Sequence, residues 1–250
     1  MIEQNQRYKR QSVLSKNEDS SFMPISDMFV GIIFIFLIIF ASFWLQLNNS
    51  QRTLEIQIKD NLETRSAILK EIKDNVELPE DITVILNERV GGLIFVSKNG
   101  FFDTGKANPS DKGQLLFQNL SKVLGNVLEC HSASHHLSGC NKGRRGLISA
   151  VLVEGHADSQ KIGPHSRYKS NLELSAARAA EAYNQILASG ANFLQYKNEN
   201  NESLFGVSAY GDTRPIEKTL RIPYEDETKE TSQDRRIELR IIMAAPVVDS

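Results

Sequence analysis

Apolar and polar positions along the chain fall into three regimes. From Met28 to Leu47 there is no charged residue, and Gln46 is the one strongly polar side chain. At 1.5 Å rise per residue such a run spans roughly 30 Å as a helix, the thickness of a bilayer hydrocarbon core. A buried soluble helix is rarely apolar all round over that length. A secretory signal would have a shorter apolar region ending in small residues. Here Phe43, Trp44 and Leu45 follow Ala41 and Ser42, so the pattern predicts an uncleaved transmembrane helix over 22–47, with Trp44 as an interfacial aromatic. Residues 48–79 are polar with an apolar stripe at Leu54, Ile58, Leu62, Ile68 or Leu69, Ile72 and Val76. Steps of three and four predict an amphipathic helical connector ended by Pro79. Its stripe packs either on its own domain or on a second copy, and its narrowness favours a homodimer.

Beyond residue 80 short runs alternate with helical spacing. Ile82–Leu86, Leu93–Val96, Leu147–Val153, Leu204–Tyr210 and Ile237–Met243 read as strands. Asp111–Leu128 reads as a helix, as does Asn171–Ser189, with Asn171 as its N-cap and Gly190 as its stop. The order predicts an α+β fold, a sheet with helices packed on it.

Charge sets the orientation. Arg7, Lys9, Arg10 and Lys16 precede the apolar run, which predicts a cytoplasmic tail over 1–21 and a C-terminal domain outside, in the periplasm of a Gram-negative cell. The whole chain of 250 residues balances 29 Lys and Arg against 31 Asp and Glu, so nothing points to nucleic acid. Two cysteines, Cys130 and Cys140, make no zinc motif. In the inferred compartment they are expected to form a disulfide across a short loop. His131, His135, His136 and His156 show no ligand spacing, and no metal is expected. Glu225–Glu230 reads as a solvated loop. No nucleophile–base constellation stands out, so an enzyme is not expected.

Asp27 supports two readings. Pro24, Ser26 and Asp27 suit the first turn of a helix, where a carboxylate favours the dipole. Alternatively Phe22, Met23 and Ile25 extend the apolar stretch, and Asp27 lies just inside the membrane. A carboxylate there costs up to about 2.5–3.5 kcal/mol on insertion scales. Poor hydration disfavours a carboxylate's charged form. Such a group takes up a proton or pairs with a sodium ion, then releases it. One helix cannot form that pathway alone.

Five segments carry a family resemblance: Phe102-Asp-Thr-Gly-Lys-Ala107, Val153-Glu-Gly-His-Ala-Asp158, Asn171-x-x-Leu-Ser-x-x-Arg-Ala179, Tyr210-Gly-Asp-Thr-Arg-Pro215 and Asp234-Arg-Arg-Ile-Glu-Leu239. In that order, over residues 80–245, they resemble the OmpA-like peptidoglycan-binding domain. The resemblance implies a βαβ sandwich that binds the diaminopimelate-containing stem peptide. Asp158, at a strand end, would accept from the ligand's ammonium, Arg178 would clamp a carboxylate, and Asn171 would share the helix face of Arg178. From pattern alone, an Asp158–Arg178 structural ion pair is the competing reading. Two departures from the family are Ala157 and the long Lys161–Lys169 stretch, which is expected to reshape the pocket. Cys130–Gly146 also reads as an insertion.

A membrane helix led by Asp, a connector and an OmpA-like domain together resemble MotB-like stator subunits. The Ser26-Asp27-Met28-Phe29 entry is most similar to the ZorB subunits of Zorya antiphage-defence systems. That resemblance implies two copies of the chain inside a pentamer of a MotA-like partner, ZorA. Asp27 would be the ion-carrying carboxylate for H+ or Na+, with no other cofactor. A flagellar MotB-type stator and a passive membrane-to-wall tether are the alternative expectations.

Overall fold

The computed structural model describes residues 2–98, 100–134, 148–190, 192–221 and 232–246, without the side chains of 2–25 and of Thr219. The fold is α+β. Residues up to Ile56 form one compact unit and Gln57–Pro246 a second.

Helix α1 covers Ile2–Asn75. It corrects the helix-start reading of Asp27, because Pro24, Ser26 and Asp27 lie in its interior. No glycine or proline interrupts residues 2–21, and each residue added to an existing helix closes one more hydrogen bond. The predicted apolar run is the exposed part of α1. Its large side chains from Met28 to Leu47 are between 48% and 67% accessible. Mean hydropathy reaches 2.8 there, and none of that stretch is buried by the chain itself.

The second unit is built on one five-stranded sheet: β1 (Ile82–Asn87), β2 (Gly92–Ser97), β3 (Ile148–Gly155), β4 (Phe205–Ala209) and β5 (Ile237–Met243). Spatial order is β1-β2-β5-β3-β4, antiparallel except for the parallel β3/β4 pair. Helices α2 (Asp111–His131) and α3 (Asn171–Ala188) cover the sheet, and α3 is the crossover between the parallel strands. Strand alternation sends Leu93, Phe95, Val151, Val153, Ile237, Leu239 and Ile241 into one core with Leu116, Phe117, Leu120 and Ile186 of the helices. The opposite face carries a smaller cluster of Ile94, Val96 and Ile216.

The connector stripe divides in two. Ile68, Leu69, Ile72 and Val76 belong to the domain's own core, whereas Ile58 and Leu62 remain about half exposed. Packing on its own domain therefore accounts for the second half of the stripe, which the narrow-stripe argument had assigned to a second copy. Asn61 Nδ2 donates to Ala244 O at 2.9 Å, and Ser66 and Lys70 both reach Glu88.

Each sheet helix begins at a serine. Ser110 accepts from Gly113 N, and Ser170 accepts from Glu173 N. The cap of α3 is thus Ser170 rather than Asn171; both residue types suit the position, and Ser170 alone has the extended backbone a cap needs. Gly190, at φ +128°, follows its end.

Two glycines let α3 approach the sheet. A Cβ on Gly155 would stand 2.1 Å from Ser175 O, and Gly211 has φ +56° with Leu172 N close above it. Gly155→Ala should therefore destabilise the domain at the upper end of the range of about 1–3 kcal/mol typical of overpacking. Denaturant unfolding of the full chain against wild type measures this, and an unchanged midpoint would show that α3 is not clamped there.

Candidate functional site

The five sequence segments converge on the N-terminal end of α3. The turn after β3 delivers Asp158, the first turns of α3 deliver Asn171, Leu174 and Arg178, and the approach to β5 delivers Arg235. The segment around Thr104 and Gly105 closes one side, and Lys161, Ile162, Gly163 and Ser166 of the long 161–169 stretch close the other. Gly211 ties in the fourth segment: its N–H donates to Ser175 Oγ at 2.9 Å, and its carbonyl accepts from Ala157 N at 2.8 Å. The enclosed cleft has a volume of about 60 Å³.

Arg178 is the most buried charged group of the cleft, 1% accessible. Its Nε donates to Lys106 O at 3.0 Å and its Nη2 to Asp103 O at 3.1 Å. The guanidinium lies 5.0 Å from the Phe102 ring centroid. Its Nη1 is buried without a hydrogen-bond partner among the described residues. Burial first, then the nearby Arg235 charge, bring Arg178 down to about 10, while Asp158 and Tyr168 act in the opposite sense. Arg178 stays cationic at neutral pH, is held rigidly by backbone carbonyls, and keeps one donor in reserve.

Asp158 pairs with Arg235, not with Arg178. Arg235 Nη1 donates to Asp158 Oδ2 at 2.8 Å, and Gln160 N donates to Oδ1 at 3.3 Å. This corrects the structural ion pair weighed from sequence: Arg235, just before the strand that pairs with β3, reaches the carboxylate, and Arg178 is occupied by carbonyls of the 103–106 segment. Asn171 does not touch the cleft's charges. Its Nδ2 donates to Asp158 O at 3.1 Å and Gln160 O at 3.0 Å, fixing the turn that holds Asp158. Asp158, Asn171 and Arg178 thus share one cleft. Arg235 stands in a segment the sequence singled out but received no role; the doubled arginine was the available signal.

Asp27 belongs to the other unit and is solvent-accessible on α1. Cys130 lies in the last turn of α2; Cys140, His135 and His136 fall outside the described residues, as does Glu225–Glu230. His156 is 1% accessible on the far side of the sheet. It stacks on Tyr210 with centroids 5.3 Å apart, and its Nε2 lies 3.4 Å from Glu238 Oε1 without forming a hydrogen bond.

No family model matches the chain, and no curated protein matches it. Solved structures do. A putative MotB-like protein from Desulfovibrio vulgaris is similar over 74% of this chain and 98% of its own, at 14% identity and a TM-score of 0.48. The cell wall anchor of the T6SS from Pseudomonas aeruginosa matches over 72% of this chain and 99% of its own, at 19% identity and 0.44. The periplasmic domain of Helicobacter pylori MotB matches over 62% and 78%, at 20% and 0.40.

Burial, with the charges of Arg236, Arg214 and Arg240, depresses His156 to about 3; a contact with the Arg214 backbone works weakly the other way. The folded chain therefore refuses a proton that the unfolded chain accepts below about pH 6.5. Stability should fall as pH drops from 6.5 towards 3, by about 2 kcal/mol between pH 7 and 5 from this group. Glu154, whose carboxyl burial pushes upward, acts in the opposite sense. Denaturant unfolding of wild type and His156→Gln at both pH values isolates the histidine. Equal losses in the two proteins would refute this assignment.

Proposed function

We propose that the chain is the wall-anchored subunit of an ion-driven stator-type motor, a single-pass inner-membrane protein whose C-terminal domain grips peptidoglycan. The observation that carries the reading is the convergence of four of the five OmpA-like segments on one cleft, buttressed by the Tyr210–Pro215 segment through Gly211, that holds a buried cation with a spare donor beside a buried carboxylate. A zwitterionic diaminopimelate side chain needs both. Arg178 Nη1 would donate to its carboxylate, and Asp158 would accept from its ammonium while Arg235 holds the acid in place. Asn171 is a positioning residue for the Asp158 turn.

The exposed apolar stretch of α1 supports the membrane assignment, since a surface of that size facing water is otherwise unaccounted for. The basic residues before it favour a cytoplasmic N-terminus. Asp27 at the head of that stretch would carry H+ or Na+ along a path completed by a ring of a MotA-like partner. Half-exposed Ile58 and Leu62 are the positions where a second copy would pack. A disulfide between Cys130 and Cys140 would close the intervening loop in an oxidising periplasm. The Ser26–Phe29 entry favours a ZorA–ZorB defence motor over a flagellar one.

Arg178→Ala and Asp158→Ala should each weaken retention by purified sacculi about tenfold or more, since each leaves a buried charge on the ligand without its partner. Circular dichroism controls for folding; undiminished binding by folded variants would reject the cleft. Asp27→Asn should abolish phage protection in cells expressing the whole system, with sacculus binding intact. Full protection by Asp27→Asn and Asp27→Ala would leave a passive tether.

A further inference from the structure

The face of the sheet turned away from α2 and α3 holds a second polar cavity, unrelated to the wall-binding cleft. Val153, Leu239 and Ile241 point into the main core, so Glu154, Glu238 and Arg240 point the other way. There they meet His156, Arg236 and the 214–220 segment, which Asp234 fastens by accepting from Ile216 N at 2.8 Å. The cavity has a volume of about 330 Å³. Its lining sets four arginines, Arg89, Arg214, Arg236 and Arg240, against Glu217 and Glu238.

Much of this network is internally satisfied. Glu154 Oε2 accepts from Arg240 Nε at 3.0 Å, and its Oε1 accepts from Tyr210 Oη at 3.0 Å. Glu238 Oε1 accepts from Arg236 Nε at 2.8 Å, and Arg236 Nη2 donates to Arg214 O at 3.1 Å. Arg89 pairs with Glu217. One charged group on the wall is left over. Among the described residues Arg236 is 3% accessible and its Nη1 is buried without a partner, while the buried His156 ring lies beside the Arg214 backbone. An unmade hydrogen bond to a buried cation is costly, so a ligand supplying acceptors there is strongly favoured.

The sign of the ligand follows from the charges. Glu154, His156 and Glu238 bring candidate ligand atoms within 4.8 Å of one another, as a divalent cation would require. Their carboxylates are already neutralised by Arg236 and Arg240, with Arg214 close by, so a cation would enter a net positive field. We infer that this cavity is an anion-binding site, taking the oxyanion of a small carboxylate- or phosphate-bearing ligand on Arg236 Nη1, with the His156 ring beside it and Arg214 at its mouth.

Titration calorimetry of the detergent-solubilised full chain with inorganic phosphate and, separately, acetate tests the site and distinguishes the two sources of oxyanion. Saturable binding of one or both is expected, weakened about tenfold in Arg236→Gln and unchanged in Lys122→Gln, at an exposed position of α2 outside both cavities. Should Arg236→Gln fail to fold, Arg214→Gln, at an exposed position, should weaken binding in the same sense. The inference is overturned if neither anion binds at millimolar concentration, or if binding survives in folded Arg236→Gln and in Arg214→Gln. It is equally overturned if Arg178→Gln abolishes the binding, which would place the anion in the wall cleft.

Discussion

The close seating of α3 on the ends of β3 and β4 is the constraint from which the domain's chemistry follows. Gly155 lets the helix backbone at Ser175 come nearer than a Cβ would allow, and Ser175 Oγ, buried at that contact, accepts from Gly211 N. Arg178 lies three residues further along the same helix, so its depth and direction are set by that contact. If α3 stood one side chain further out, Arg178 Nε and Nη2 would lose the carbonyls of Lys106 and Asp103. A buried guanidinium needs those acceptors, because burial without them costs several kcal/mol.

The same sheet separates two solutions to burying its faces. Under the helices it is apolar, and aliphatic and aromatic side chains interdigitate. On the other face Glu154, Glu238, Arg236 and Arg240 are largely removed from water, beneath a connection whose described residues bury Ile216 and, in part, Leu220. Ion pairs of that kind add little net stability over an apolar replacement, though losing one partner is severe. Retaining them at the sheet centre is most simply explained if the face has a polar task. His156 joins the two sides of the argument. Its backbone N–H donates to Arg236 O at 3.1 Å, and two residues later the chain presents Asp158 to the cleft at the start of α3.

Much of this architecture was legible in the sequence because its signals are local. Alternation located all five strands and both sheet helices to within a few residues, since one buried face imposes a period of two or of 3.6. Ser170 and Asn171 both suit a cap, which is why the cap fell one residue away. The start of α1 was hidden because Pro24 and Asp27 carry the marks of a first turn, although the polar residues before them continue the helix. Long-range pairing was not legible. Nothing in a linear pattern says that Asp158 takes Arg235 in place of Arg178, because that choice depends on strand order β5–β3 and on which carbonyls the 103–106 segment presents. The connector stripe was ambiguous for the same reason: three-and-four spacing reports that a face is buried, not against what.

Ile68, Leu69, Ile72 and Val76 give that ambiguity a mechanical meaning. Each is at most 7% accessible, and each fully buried aliphatic side chain contributes about 1.5–3 kcal/mol. The last turns of α1 are therefore part of the folded domain, secured by packing as well as by the peptide bond, and by Asn61 and Arg65 bonding to Ala244 and Glu88 carbonyls. A flexible linker in this position would absorb a load by extending. A helix end locked into a core transmits it, up to the force that breaks the core. Such a junction suits the proposed role, in which a wall-bound domain and a membrane segment would have to resist one another.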